Sequence, residues 1–357
     1  MNRAIVALGA DMKNQILSAK GKDIDFGPQI GDLSQADNFE LFKKQVHRAI
    51  KKISPRVIAY DMHPHYFSSL FARSYQPSAF SLQPIQHHHA HIASVLQEHR
   101  LTRPVIGVCF DGTGYGVDGN SWGGEFLLVD GARFRRLGFL KYRKMPGGDK
   151  VVHQPWRMAV SILGKKAFAF LKDVPGKDKE YILRMLTKDI NSPQTSSAGR
   201  LFDAAAAILG LCQYASYEAQ GPIELEKICD KNIEAFYPFV IDKNKDVYVV
   251  DTDRIFLEMC RDIKAGKNKG VIAAKFHNSM VEIVSAMAKK TLSSLKIKDI
   301  ALSGGVFQNN FLKEKMIRRL SKGGFNALTN IDLPANDLNI SLGQYYVSCC
   351  SGKNKRS

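Results

Sequence analysis

The sequence predicts an α/β protein made of two related lobes around a cleft. Short apolar strands alternate with segments of helical periodicity along the whole chain, which is the pattern of packed α/β units. The pattern starts twice, at 4–10 and again at 105–110, and both opening strands end in a tight polar turn. We therefore place the boundary near 101–104, with a first lobe of residues 1–101 and a second of residues 102–357.

The first lobe begins with a buried strand at 4–10, a turn at 11–13 and a return strand from Gln15. Helical spacing predicts a helix over 38–53, and an apolar run predicts a second buried strand over 56–62. Apolar residues on one face then predict a helix over 90–98.

The second lobe repeats this start and adds helical insertions. Its opening strand at 105–110 is followed by hairpin partners at 125–129 and 133–139 around an Asp-Gly turn. The later elements are helices near 156–171, 181–187, 200–211 and 271–295, strands at 300–303 and 326–329, and a last helix from Ile340. We expect this last helix to pack back on the first lobe.

Composition excludes several classes of protein. The chain has no apolar run of the roughly 20 residues that a membrane-spanning helix needs, and no signal-peptide pattern, so we expect a cytoplasmic protein without a membrane partner. The six cysteines form no C-x-x-C pair, which excludes a zinc ribbon and a thioredoxin-type motif. The net charge of +17 favours anionic ligands, but its spread along the chain does not favour a nucleic-acid site.

Four histidines lie within the five residues 87–91. On a helix, residues four apart share a face with Cβ atoms about 5–6 Å apart. His87 and His91 are therefore candidate ligands of one metal ion, whereas His88 and His89 point elsewhere and are candidates for contacts with a bound ligand. The alternative is a polar helix start without any ligand.

Polar turns supply candidates for the rest of such a site. Two histidines need further oxygen ligands, and Asp111 stands at a strand end before a glycine-rich turn, while Asp337 precedes the last helix. The turn at 111–116 lets backbone N–H groups approach a phosphate. The pair at 304–305 joins a strand to a helix start near Gln308, which suits an anionic ligand. Each turn alone is also compatible with a plain connection.

Several blocks in one order give the chain a family resemblance. They are 7–14, 86–92, 111–116, 122–126, 146–149, 155–157, 195–203, 276–277, 302–309, 336–337 and 340–344. Together they resemble the C-terminal carbamoyltransferase domain of the HypF family of hydrogenase maturation proteins, which is related to the tRNA threonylcarbamoyltransferases. One departure is Leu338-Asn339, which stands where the family usually has a glycine pair.

The resemblance implies two ribonuclease-H-like lobes of the actin, sugar-kinase and heat-shock-chaperone type, with an adenine nucleotide between them. It implies metal binding by His87, His91, Asp111 and Asp337, with zinc or iron favoured and magnesium or manganese also compatible. The residues it places at the nucleotide are Lys13, Gly112, Thr113, Gly114, Gly199, Asp203, Gly304, Gly305 and Asn309. We add His88 and His277 as candidate catalytic residues for proton transfer.

The implied activity is transfer of the carbamoyl group of carbamoyl-adenylate to an acceptor. The resemblance points to the C-terminal cysteine thiol of a HypE-like partner, in the synthesis of a cyanide ligand. Because this sequence lacks the acylphosphatase-like, zinc-binding and adenylate-forming regions of complete HypF proteins, we expect a separate domain or protein to supply carbamoyl-adenylate. Two alternatives stay open: a tRNA threonylcarbamoyltransferase, and a nucleotide-binding regulator without turnover.

Overall fold

The computed structural model describes residues 4–21, 23–75 and 80–351, except for the side chains of 292 and 293. The structure has two β-sheets, of five and nine strands. Clusters of buried apolar residues from strands and helices pack against both sheets. The strands of the first sheet are β1 Ala4–Ala7, β2 Asn14–Lys20, β3 Asp23–Gly31, β4 Val57–Asp61 and β5 Ser81–Ile85.

The second sheet lies in the second half of the chain. Its strands are β6 Val105–Tyr115, β7 Ser121–Asp130, β8 Arg133–Leu140, β9 Arg143–Lys144, β10 Gln194–Thr195, β11 Val240–Asn244, β12 Val247–Asp251, β13 Asp299–Ser303 and β14 Asn326–Thr329. The hairpin β11–β12 extends the sheet beyond β8, because β12 pairs parallel with β8.

The two sheets share one topology. The first has the order β3-β2-β1-β4-β5, and the central part of the second has the order β8-β7-β6-β13-β14. In each, the first three strands of the chain pair antiparallel. The last two pair parallel, beginning at the opening strand. The predicted duplication of an α/β unit is therefore confirmed at the level of strand order and direction.

Helices connect the strands and cover the sheets. They are α1 Ala36–Ile53, α2 Phe67–Ser74, α3 His87–Glu98, α4 Lys150–His153, α5 Trp156–Leu163, α6 Gly176–Thr187, α7 Ala198–Ile208, α8 Gln220–Lys227, α9 Asp253–Lys264, α10 Lys269–Leu295, α11 Asn310–Lys322 and α12 Ile340–Ser351. Short 3₁₀ turns lie at Gly164–Ala169, Gly305–Gln308 and Asp337–Asn339. Within the described ranges, none of these helices has the length and apolar character needed to cross a bilayer.

The helices that follow the last strand of each lobe, α3 and α12, pack against each other between the two sheets. Their backbones approach so closely that a methyl group on Gly343 would lie 1.8 Å from the Ala90 carbonyl oxygen. Gln344 of α12 also accepts the N–H of Gly9 at 2.9 Å and donates to the Gly9 carbonyl at 3.2 Å. The last helix thus contacts the turn after β1 in the first lobe.

Two sequence predictions about these elements are wrong. Strand β6 does not end at Phe110 but continues to Tyr115, with a shift in its pairing to β7 between Phe110 and Gly114. The predicted turn at 111–116 is therefore mostly an irregular strand, and the reversal falls at 116–120, where the N–H of Gly116 bonds to the Asn120 carbonyl. The predicted helix over 156–171 breaks at Gly164, whose φ of +58° is unfavourable for other residues.

Candidate metal centre and nucleotide cleft

Helix α3 brings the histidine cluster to the middle of the molecule. The Gln86 side chain caps this helix, since its Oε1 accepts the N–H of His89 at 2.8 Å and satisfies a donor that the helix start leaves free. The helix therefore begins at His87, ahead of the predicted start at residue 90. The rings of His87 and His91 share one face, with centroids 4.9 Å apart.

His87, His91, Asp111 and Asp337 converge on one point, where one ligand atom of each lies within 4.8 Å of the others. Asp111 Oδ2 lies 3.5 Å from His87 Nε2 and 3.3 Å from His91 Nε2. Asp337 Oδ1 lies 3.6 Å and 3.7 Å from the same two nitrogens. Four ligand atoms about 2.1 Å from a shared ion in a tetrahedral arrangement would lie about 3.4 Å apart.

The unpaired atoms of this cluster test whether a metal ion fits. His87 Nε2, His91 Nε2 and Asp111 Oδ2 are enclosed, and among the described residues they have no hydrogen-bond partner of normal geometry. A buried polar atom without a partner costs about 1–3 kcal/mol, so three such atoms at one point suit a bound cation. Two imidazole nitrogens and two carboxylate oxygens are a suitable donor set for a divalent transition metal. The residues present therefore fit such an ion.

The opposite nitrogens of both imidazoles are held by residues that the sequence did not reveal. His87 Nδ1 lies 2.7 Å from Asp61 Oδ2, and His91 Nδ1 lies 2.9 Å from Asn339 Oδ1. With both oxygens as acceptors, Nδ1 carries the proton and the Nε2 lone pair faces the cluster. Asp61 could have been suspected as a carboxylate at the end of a buried strand, whereas nothing local marks Asn339.

Charge couples the members of the cluster. Burial opposes protonation of His87, but the carboxylates of Asp61, Asp111 and Asp337 outweigh it and raise the pKa of the His87 imidazole well above its usual value. Burial also opposes ionisation of Asp111, but the neighbouring imidazoles of His87 and His91 outweigh this effect and hold the pKa of that carboxyl well below its usual value. A bound cation would take the place of the imidazole proton, because metal ligation requires a neutral histidine.

Asp111 connects the cluster to the glycines predicted to face a nucleotide. Its Oδ1 accepts the N–H of Gly112 at 2.8 Å and the N–H of Gly305 at 3.0 Å. Ser197, which caps α7, bonds through Oγ to the Asp111 carbonyl at 2.7 Å. A methyl group on Gly199 would lie 3.0 Å from the Gly112 Cα. The structure thus brings three predicted nucleotide-contacting glycines together beside Asp111.

Two further residues from the predicted nucleotide set shape the neighbouring backbone. Gly304 has a φ of +101°, and a methyl group there would lie 2.4 Å from the Phe110 carbonyl oxygen, so only glycine allows β13 to turn at this place. Thr113 Oγ1 lies 2.9 Å from Ser121 Oγ and links β6 to β7. Thr113 therefore has a structural contact in the hairpin.

His88 is enclosed next to the cluster and contacts the same irregular strand. Gln86 Nε2 lies 3.1 Å from His88 Nδ1 and 3.0 Å from the Tyr115 carbonyl, while His88 Nε2 has no hydrogen-bond partner in the part of the chain that the structure describes. A methyl group on Gly114 would lie 2.5 Å from His88 Cε1 and 2.8 Å from His87 Cδ2. Gly114 therefore allows the histidines to pack against β6.

Asp203 lies on α7, fully inside the protein. Arg200 Nε lies 3.0 Å from Asp203 Oδ2 and forms an ion pair with it. The angles at this contact are not those of a normal hydrogen bond, and among the described residues neither atom has another hydrogen-bond partner. Burial raises the pKa of the Asp203 carboxyl to about 6 against the opposing effect of Arg200. The pair is thus only partly satisfied by the protein itself.

His277 lies in the core of the second lobe, and both ring nitrogens have partners. Nδ1 lies 2.8 Å from the Ala273 carbonyl, which only accepts, so Nδ1 carries the proton. Nε2 accepts from Asn309 Nδ2 at 2.9 Å, and Asn309 Oδ1 accepts the N–H of Leu312. Burial lowers the pKa of His277 to about 4. His277 therefore orients Asn309, and none of its described contacts is with the metal-ligand cluster.

Lys13 belongs to the first lobe but reaches the second. Its Nζ lies 2.7 Å from Glu218 Oε2, and both side chains are partly exposed. Burial lowers the pKa of Lys13, but Glu218, Asp337 and Asp111 outweigh this effect and raise it.

Sequence reasoning also missed a buried charge network beneath β6 and β7. The Arg136 guanidinium lies between the rings of Trp122 and Phe139, at 4.0 Å and 3.8 Å from their centroids. Its Nε donates to Glu125 Oε2 at 2.6 Å, and Glu125 is completely buried. Asp118 accepts from Trp122 Nε1 at 2.8 Å. This network fixes the hairpin that carries Asp111 and the glycines.

Two family profiles cover nearly the whole chain. Residues 107–344 match the family "Carbamoyltransferase, Kae1-like Domain, second subdomain", and residues 1–98 match the "HypF Kae1-like domain" family. The chain is 33% identical to "Carbamoyltransferase HypF2" of Cupriavidus necator over 97% of its own length and 46% of that protein. It is also 33% identical to a "Carbamoyltransferase HypF homolog" of the same organism, over 96% of this chain and 91% of that one.

A solved structure of a HypF protein also matches nearly the whole chain. The crystal structure of "full-length HypF in the phosphate- and nucleotide-bound form" superposes with a TM-score of 0.93 at 36% identity, covering 99% of this chain and 47% of that chain. The chain thus spans about half the length of several relatives that it matches. The chain is also 33% identical to a tRNA N6-adenosine threonylcarbamoyltransferase of Dictyoglomus turgidum, but this match covers only 42% of the chain.

Proposed function

From the premise that this chain belongs to the HypF family, we propose that it is a metal-dependent carbamoyltransferase that uses carbamoyl-adenylate. The observation that carries this proposal is the cluster of His87, His91, Asp111 and Asp337. Its enclosed, unpaired atoms suit a divalent ion, and Asp111 joins it directly to the glycines beside α7. A site for a charged ion therefore adjoins a site suited to phosphate.

Each part of the site then has a task. The four ligands would hold a divalent ion, which supplies positive charge beside the phosphate or the carbonyl oxygen of the substrate. Gly112, Gly199 and Gly305 lie together beside Asp111 at the start of α7, and a helix start of this kind suits the phosphate of the nucleotide. Asp203 and Lys13 lie at the edges of this region as further nucleotide contacts.

The proposed reaction is an acyl-type substitution. The sulfur of the acceptor thiolate attacks the carbamoyl carbon and forms a C–S bond. The bond between that carbon and the phosphate oxygen breaks, and AMP leaves with the electron pair. His88 remains our candidate for proton transfer because its Nε2 has no partner. For His277 we now propose orientation of Asn309 instead, since both of its nitrogens are engaged.

The acceptor and the source of the substrate are also proposals. We propose the C-terminal cysteine of a HypE-like protein as acceptor, as part of cyanide-ligand synthesis in hydrogenase maturation in the cytoplasm. A separate carbamoyl-adenylate-forming domain or protein would supply the substrate. The support is that several relatives named carbamoyltransferase HypF are about twice as long as this chain.

The two alternatives have less support. A tRNA threonylcarbamoyltransferase would agree with the net charge of +17, but similarity to those enzymes is confined to part of the chain. A regulator without turnover would have no need for an enclosed set of four ligands with supporting partners at Asp61 and Asn339.

The test supplies purified protein, loaded with one divalent metal at a time, with carbamoyl-adenylate and a peptide that ends in cysteine. We expect AMP and carbamoylated peptide to form in equal amounts, and mass spectrometry measures both products. A matched peptide ending in serine should stay unmodified, because a hydroxyl is the weaker nucleophile at neutral pH. Modification of tRNA but of no thiol would favour the first alternative, and nucleotide binding without any transfer would favour the second.

A further inference from the structure

His63 lies next to Asp61, the partner of His87, and belongs to none of the groups discussed above. It follows the end of β4, where the two carboxylate oxygens of Asp61 accept hydrogen bonds from different partners. Asp61 Oδ2 holds His87 Nδ1 at 2.7 Å, and Asp61 Oδ1 accepts the backbone N–H of His63 at 2.8 Å. One carboxylate thus fixes both a metal-ligand imidazole and the start of the segment that carries His63.

Local contacts determine which nitrogen of His63 carries the proton. The backbone N–H of His65 donates to His63 Nδ1 at 3.2 Å. A backbone N–H can only donate, so Nδ1 must present a lone pair, and the proton of the neutral ring lies on Nε2. The ring is also held sterically, stacked on Tyr66 at 4.0 Å between centroids and edge-on to Tyr115 at 5.5 Å.

The Nε2–H group of His63 is open to a ligand. Among the described residues it has no hydrogen-bond partner, it is not one of the enclosed unpaired atoms, and the side chain is half-buried. Burial lowers the pKa of the His63 imidazole below its usual value. Its neighbours Tyr66 and Tyr115 come from different lobes. An oriented donor therefore stands between residues of the two lobes, on the segment that Asp61 joins to His87.

We infer that His63 donates a hydrogen bond from Nε2 to the carbonyl oxygen of the bound carbamoyl group. The inference rests on the proposed function. The glycines that suit the phosphate adjoin the cluster through Asp111, whereas His63 adjoins it through Asp61. With its phosphate at the glycines, a substrate that extends along β6 would bring its carbamoyl end toward His63, whose ring contacts Tyr115 of the same strand.

A neutral imidazole suits this task. As the thiolate sulfur bonds to the carbamoyl carbon, the carbonyl electrons move to oxygen and give it negative charge. A fixed N–H donor strengthens its hydrogen bond at that moment, without giving up its proton. When the C–O bond to phosphate breaks, the carbonyl re-forms and AMP departs, so His63 ends the reaction unchanged.

The experiment compares three variants in the transfer of carbamoyl from carbamoyl-adenylate to a peptide ending in cysteine. His63→Phe keeps an aromatic ring on Tyr66 but has no donor. His63→Gln restores a donor without the ring. His65→Ala is the control, because the exposed His65 side chain is lost but its backbone N–H remains. Metal content and AMP affinity are measured for each protein.

We expect His63→Phe to lower kcat by about 10²-fold, as loss of one oxyanion donor does, with KM, metal content and AMP affinity near those of the unmodified protein. His63→Gln should recover at least about a tenth of the lost rate, and His65→Ala should match the unmodified protein.

Several results would overturn the inference. These are an unchanged kcat in His63→Phe, a rise in KM at constant kcat, or a loss of metal that accounts for the lost rate. Absence of transfer by the unmodified protein would overturn the proposed function and this inference together. Failure of His63 alone leaves transfer by the unmodified protein intact, so the two failures are distinguishable.

Discussion

A protein carrying His87→Ala together with His91→Ala should lose its bound metal ion and slow carbamoyl transfer by at least about 10²-fold, since a metal ion contributes several kcal/mol to such a step. His87 Nε2 and His91 Nε2 face the cluster, and among the described residues neither nitrogen has a hydrogen-bond partner. Removing them leaves only Asp111 and Asp337, and two carboxylates cannot supply the four ligands of a closed site.

The measurement is metal content by mass spectrometry together with initial transfer rates. His99→Gln is the matched control, because His99 ends the same helix and bonds to the Thr329 carbonyl away from the cluster. Metal content and rate in the control should equal those of the unmodified protein. A double variant that keeps its metal and its rate would show that the centre lies elsewhere.

Gly343→Ala should lower the free energy of unfolding by about 3 kcal/mol or more, because overpacking of this kind forces backbone shifts. The added methyl group would lie 1.8 Å from the Ala90 carbonyl oxygen and 2.5 Å from its carbon. These are backbone atoms of α3 and cannot rotate away. The shift would also displace His91, which follows Ala90, so metal affinity should fall as well.

Denaturant unfolding followed by circular dichroism measures this effect. Gly176→Ala is the control, since a methyl group there meets nothing within 4 Å, and its stability should change by less than about 0.5 kcal/mol. Equal stability of both variants would contradict the close packing of α3 on α12 that joins the two lobes.

The sequence predicted those features of the fold that depend on local pattern. The apolar runs at β1, β4 and β13, the start of β6 and the periodicity of α1 each lie within a few residues of their observed bounds. Strands β3 and β5 were missed because they lie at the edges of the first sheet and are largely exposed. An exposed edge strand lacks the apolar run that marks a buried strand, and β5 in addition pairs with β4, which lies 24 residues earlier (81 − 57) in the register Val57 to Ser81.

The candidate site divides in the same way. His87 and His91 could be paired from helical spacing alone, because both stand on one turn of α3. Asp111 and Asp337 were candidates from their positions at a strand end and before the last helix, and the family resemblance grouped them with the histidines. Since 226 residues separate them (337 − 111), only the fold brings them together. Asp61 was not predicted, as its role appears only once β4 lies beside α3.

The most direct test of the metal centre is anomalous X-ray scattering from crystals of the metal-loaded, transfer-active protein. We expect one strong peak about 2.0–2.2 Å from His87 Nε2, His91 Nε2 and one oxygen each of Asp111 and Asp337. A fully active protein whose only anomalous peak lies away from these four residues would contradict it.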